Sequence, residues 1–241
     1  MAVSGGTQAL IATFAFGLVA LASFGTAVLF TFGSRRLGGN ASFSNGLRLV
    51  LVIFLLSSTL WSILGFAATL INGDGNPSCQ VLIAFATGFD QLARLAFEQY
   101  LVWRIKPQKM SSGIFVLQAL IFVRFIMGGV LIGVQRPQNC PMCIAKNILV
   151  PLGIATLVTD LLIISITFAF IWVTRSPNSS LGLQISGFLP AKIVAFLTAG
   201  FATWLATSIP MILGSANFPI ATRTVVPAIG LLVLLGLCTW R

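Results

Sequence analysis

Asp90, Arg94 and Glu98 stand four residues apart in FDQLARLAFEQY (residues 89–100), a stretch that is otherwise mostly apolar. The i, i+4, i+8 spacing puts all three on one face of a helix. The whole chain has four acidic residues, and two of them flank this one arginine. Arg124 and Asp160 are isolated in the same way further along. Carboxylates that are desolvated and paired with arginine separate in pKa, so that one keeps a proton and acts as an acid while another stays ionised as a base or positions water. The chain contains no histidine, and its sequence shows no metal-ligand set and no glycine-rich phosphate loop. The chemistry these residues suit is protonation of an epoxide or alkene in a lipophilic compound, followed by attack of water or an internal nucleophile, with no cofactor or metal.

The elements that must position them are set by composition. The 241 residues are 57% hydrophobic and 7% charged, whereas soluble domains carry about a quarter charged residues. Bilayer is therefore the expected solvent. Seven apolar segments, near 8–32, 47–71, 80–103, 113–134, 148–173, 190–213 and 222–240, are long enough to span at roughly 20 residues each. Because they are continuously apolar rather than alternating, they read as helices and not as barrel strands. The expected fold is all-α: a single polytopic domain over 1–241, a seven-transmembrane-helix bundle. Turn residues interrupt the segments at 73–77, 136–139, 176–179 and 217–219.

Charge sets the expected orientation. With the N-terminus outside or lumenal, the cytosolic side holds Arg35, Arg36, Arg48, Arg104, Lys106, Lys109, Arg175, Lys192 and Arg241, against Arg136, Lys146 and Arg223 opposite. This bias is the positive-inside pattern, so the net charge of +10 reads as topology with some attraction to anionic lipid, and not as nucleic-acid binding. The first segment has no basic residues before it and is followed by Arg35-Arg36, which fits a signal anchor better than a cleaved leader. A multi-pass protein of the endoplasmic reticulum is expected, with membrane lipid and a lipophilic small molecule as its partners. The sequons at Asn40 and Asn178 fall on the cytosolic side and should carry no glycan.

Depth follows from about 1.5 Å of rise per residue: counted from Cys79, Asp90 is roughly 16 Å and Arg94 roughly 22 Å into the bilayer, with Glu98 deeper and nearer the cytosolic end. Arg124 and Asp160 fall midway along helices 4 and 5, at a level similar to Asp90 and Arg94. A charge at bilayer centre costs roughly 3 kcal/mol even on the lenient scale, so the five must face one another or a wet cavity. Asp90 and Asp160 are the acid/base candidates, Arg94 and Arg124 orient them, and Glu98 ranks below them. Gln91, Trp61 and Phe122 are candidates to line the substrate site; Gln99, Gln118, Thr156 and Thr159 are further polar partners, and Phe85, Phe89, Phe97 and Phe125 further aromatic ones able to face a developing cation. Tyr100 and Trp103 read as interface anchors. The plainer reading is that the charges are polar glue between helices, at about 1 kcal/mol or less per contact.

Cys79 precedes helix 3, and Cys140 and Cys143 lie in the 4–5 connection on the same expected side, where disulfides form. A bridge from Cys79 to one of that pair would pin the connection over the mouth of the bundle. Cys-Pro-Met-Cys as a redox or metal motif lacks its usual context.

FDQLARLAFEQYLVW, following Cys79 in a histidine-free chain of this length, resembles the small seven-helix integral membrane proteins of fungal secondary-metabolite pathways. The resemblance implies one of two activities: a membrane-bound epoxide hydrolase of the polyene and polyether type, or an integral membrane terpene cyclase. The cyclase pattern places an acid after an Asn/Trp-rich stretch at the end of helix 2. Here that region reads LSSTLWSILGF, with Trp61 and no acid, which moves weight towards epoxide opening. A non-catalytic receptor or sensor shares the seven helices and the cysteine before helix 3, but FEQYLVWR matches a receptor switch poorly. A retinal protein would need a lysine within 222–240, and there is none.

Overall fold

The computed structural model describes residues 5–32, 45–71, 77–105, 111–138, 143–175, 191–207, 209 and 220–239. These residues are almost entirely helical. The helices are α1 (Gly5–Phe32), α2 (Asn45–Thr69), α3 (Pro77–Ile105), α4 (Ser111–Val134), α5 (Val150–Arg175), α6 (Ala191–Thr207) and α7 (Ile220–Thr239). Two short strands, β1 (Gln135–Gln138) and β2 (Ile144–Asn147), lie between α4 and α5. Four helices are long and apolar enough to cross a membrane, over Ile11–Val28, Leu49–Ala68, Gly113–Val134 and Val150–Phe170. In α6 and α7 the apolar windows are shorter, Leu197–Ala206 and Val226–Leu235. The 29 residues of α3 are interrupted by the charged face.

Local chemistry accounts for the helices. Where no water reaches the backbone, a helix satisfies its own N–H and C=O groups. Hydroxyls inside the helices bond back to carbonyls one turn earlier: Ser23 to Val19, Thr26 to Ala22, Ser58 to Phe54, Thr59 to Leu55 and Ser62 to Ser58. Ser23 and Thr59 also meet across the α1–α2 contact at 2.9 Å. Pro77 opens α3, a position where its missing N–H leaves no helical bond unmade.

Consecutive helices pack side by side, and α7 returns to α1, so the elements close into a ring. Besides its chain neighbours α2 and α4, α3 also touches α5 and α6. The main core joins α1, α2, α3, α6 and α7 through Phe16, Phe54, Phe97, Phe201, Trp204 and Leu231, among others. The outer faces are apolar too: α4 turns Phe115, Phe122, Phe125 and Val130 outward, as lipid-facing helices do.

The 136–139 segment, expected as a turn, is a strand up to Gln138. β1 pairs antiparallel with β2 in the register Gln135↔Asn147 to Gln138↔Ile144. Contacts to the helix ends hold this hairpin. The Cys143 N–H donates to Ala68 O at 3.2 Å and to Ile71 O at 2.9 Å, and Gln80 Nε2 donates to Gln135 O at 3.0 Å. Cys79 is bridged to Cys143, with Cα atoms 5.5 Å apart. Cys140, both sequons and the basic residues Arg35, Arg36, Lys106, Lys109 and Arg241 lie outside the described residues.

Candidate functional site

α3 supplies Asp90, Gln91, Arg94 and Glu98; α4 supplies Arg124 and α5 supplies Asp160. All six are buried, and Arg94, Glu98 and Asp160 have no exposed surface. Arg94 grips Asp90 side-on, donating from Nε to Oδ2 at 2.9 Å and from Nη2 to Oδ1 at 3.3 Å. Gln91 Nε2 donates to the same Asp90 Oδ2 at 3.1 Å, which fixes the amide so that its Oε1 points away. Arg124 grips Asp160 in the same bidentate way, through Nε and through Nη2, the latter at 3.2 Å. Arg94 Nη1 lies 3.9 Å from Asp160 Oδ2 and links the two pairs. Five charged groups from three helices thus occupy one layer.

Glu98 is different. It sits within electrostatic reach of Asp160, Arg124 and Arg94, with the Asp160 carboxyl as its hydrogen-bonding neighbour, yet neither of its oxygens accepts a hydrogen bond from a protein donor. Asp90, by contrast, accepts three hydrogen bonds. The two carboxyls expected to rank in the order Asp90, then Glu98, differ in their partners: Asp90 is held by Arg94 and Gln91, and Glu98 accepts from no protein donor. A helical Cα–Cβ bond tilts towards the N-terminus, which leans Glu98 back towards Arg94 and the cluster instead of the far end of α3.

The aromatic surroundings also differ from expectation. Phe122, proposed to line the substrate site, is 64% exposed on the outside of α4, and Phe85 and Phe125 face outward as well. Phe122 stands two residues from Arg124, about 200° around the helix, so an inward arginine forces an outward phenylalanine; that spacing was a usable signal. Trp61 is buried and meets Phe16 of α1 edge-on at 5.4 Å. Tyr100 is not an interface anchor: it is buried beside Phe97, with ring centroids 5.9 Å apart. Thr156 and Thr159 bond back to their own helix, at Gly153 O and Ala155 O.

Sequence reasoning passed over Trp204 of α6. The Arg94 guanidinium carbon stands 4.9 Å from its ring centroid, a cation–π contact. Trp204 joins Phe54, Phe97 and Phe201 in a continuous aromatic stack, with neighbouring centroids 4.9–6.3 Å apart. Lys192, the charged residue of α6, stands twelve residues before Trp204 and did not mark that face in advance.

Chemically, the site holds three carboxyls against two guanidiniums. Two carboxyls are paired and one is not, in a place from which bulk water is excluded. Comparison of the chain with protein-family models, with curated proteins and with solved structures gave no match.

Proposed function

We propose that the chain crosses the membrane seven times with its N-terminus outside or lumenal, in the endoplasmic reticulum, and that the buried cluster is an acid/base centre opening an epoxide in a polyene, polyketide or prenylated substrate. Support for the topology comes from the apolar helices and the uneven distribution of basic residues. Support for the chemistry rests on one observation above all: Glu98 is fully buried with no protein donor on either oxygen, against an Asp160 fixed by Arg124. The two environments suit the two roles of an acid/base pair.

In this mechanism Glu98 gives its proton to the epoxide oxygen as the C–O bond breaks. Asp160, hydrogen-bonded by Arg124, takes a proton from the water that forms the new C–O bond. Passage of that proton from Asp160 to Glu98 restores both groups, and the sum is epoxide plus water to vicinal diol. An internal hydroxyl in place of water gives a cyclic ether. Arg94 links Asp90 to Asp160 and fixes the spacing. The Cys79–Cys143 bridge at the start of α3 is the feature that favours the second reading, a ligand-sensing seven-helix protein.

The test is a product assay in microsomes carrying the full chain, with a lipophilic epoxide panel in oxygen-18 water. Labelled diol, or cyclic ether, should form with the wild type and disappear with Glu98→Gln and Asp160→Asn at equal protein level. Absence of turnover across polyene and prenyl epoxides by folded protein would refute the enzyme reading.

A further inference from the structure

Five atoms of the cluster are buried without a hydrogen-bond partner: the acceptors Gln91 Oε1, Glu98 Oε1 and Glu98 Oε2, and the donors Arg94 Nη1 and Arg124 Nη1. Orphans of this kind are rare, and each buried polar atom left unpaired costs about 1–3 kcal/mol. Here donors and acceptors occur together. A Cβ built on Gly128 of α4 would lie 3.1 Å from Arg124 Nη1 and 3.5 Å from Gln91 Oε1, so the bare glycine lets one orphan donor and one orphan acceptor approach the same position of α4. Around Asp160, Arg94 Nη1 stops at 3.9 Å, too long for a direct bond, and the Glu98 carboxyl, which accepts from no protein donor, stands against the same aspartate within electrostatic reach of both arginines.

The mixture selects the ligand. A cation would meet the carboxyl and leave the guanidinium N–H groups unpaired, and an anion would do the reverse. A hydroxyl oxygen accepts one hydrogen bond and donates another, so it matches a donor–acceptor pair. Gaps of this length between buried polar groups are also where a bridging oxygen belongs.

We propose that the cluster is a seat for hydroxyl oxygens, one beside Gly128 between Arg124 Nη1 and Gln91 Oε1 and one at Glu98 and Arg94 Nη1, filled by a vicinal diol of a lipophilic compound or by a pair of waters. The seat itself follows from the unpartnered atoms; the choice of a vicinal diol rests on the epoxide-opening reading.

The experiment uses the full chain, disulfide intact, in phospholipid nanodiscs. Equilibrium binding of 1,2-dodecanediol is compared with 1,2-dimethoxydodecane, which accepts hydrogen bonds but cannot donate them. The wild type should prefer the diol by about ten-fold or more, the effect of unpairing one buried polar group. The preference should vanish in Glu98→Leu, and also in Gly128→Ala, whose helicity and melting curve serve as the folding control. If waters fill the seat instead, the two compounds bind alike, and water-edited solid-state NMR shows transfer from water to the Glu98 carboxyl and Arg124 guanidinium carbons that Gly128→Ala diminishes. Equal binding with no such transfer overturns the proposal. Turnover measured on the same nanodiscs separates the two ideas: diol preference without turnover removes the enzyme, and turnover with neither signal removes the seat.

Discussion

Replacing Glu98 by leucine should leave the protein as stable as before or make it more stable, whereas the same change at Asp160 should destabilise it strongly. Asp160 accepts two hydrogen bonds from Arg124, so Asp160→Leu strands a buried guanidinium. Breaking a buried ion pair on one side costs about 3–5 kcal/mol. Glu98 accepts no hydrogen bond from a protein donor, so its removal strands no protein donor. Leucine relieves a buried unsatisfied carboxyl, about 1–3 kcal/mol, against some lost attraction to Arg94 and Arg124. The expected net for Glu98→Leu lies between about zero and 3 kcal/mol of stabilisation.

The assay is reversible unfolding in mixed micelles with increasing SDS fraction, followed by helical circular dichroism, on wild type, Glu98→Leu, Asp160→Leu and the Arg124→Leu/Asp160→Leu pair. The double variant should be less destabilised than Asp160→Leu alone, because no lone charge is left behind. A Glu98→Leu loss of about 2 kcal/mol or more, comparable to the loss at Asp160, would show that Glu98 is a partnered structural member and would refute the reasoning that makes it the reactive group.

Three further outcomes follow from packing. Gly65→Ala should cost about 1–3 kcal/mol, because a Cβ there falls 2.5 Å from Phe16 Cε1 and that ring is held edge-on against Trp61; a lowered melting temperature checks it. Phe97→Ala should cost about 3–5 kcal/mol, since its ring meets Phe54, Tyr100 and Phe201, while Phe122→Ala on the outer face of α4 should stay within about 0.5 kcal/mol and leave product formation unchanged. Reduction or Cys79→Ser should lower the unfolding midpoint. A separation of 64 residues sets a chain-entropy limit of about 4 kcal/mol, and less is expected where membrane-inserted helices already restrict the unfolded chain; equal midpoints with and without reductant would count against it.

Heights were legible in the sequence and directions were not. Rise per residue is fixed in a helix, so counting along three apolar segments brought Asp90, Arg94, Arg124 and Asp160 to one level, where the structure pairs them. Direction around each helix depends on which neighbours cover it. Phe122 was misassigned because its residue type was weighed and its angle from Arg124 was not. Trp204 could not be placed because nothing in the sequence of α6 shows which of its faces meets α3. Cys79 was legible as a bridging residue, but its partner was settled only by the hairpin, whose strands bring Cys143 to Ala68 O and Ile71 O beside the start of α3.

Helix glue explains four of the five charges and stops there. Asp90–Arg94 is a closed pair within α3, and Arg124–Asp160 is a closed pair between α4 and α5; each balances its own charge, and the second also joins two helices. α3 can carry such groups because it touches α2, α4, α5 and α6, so protein covers faces that lipid would otherwise meet. Glu98 adds a carboxyl to a layer already neutral, accepts no hydrogen bond from a protein donor, and lies where an apolar residue would fill the same volume without desolvating a charge. The proposed chemistry therefore rests on Glu98 more than on the more visibly bonded Asp90.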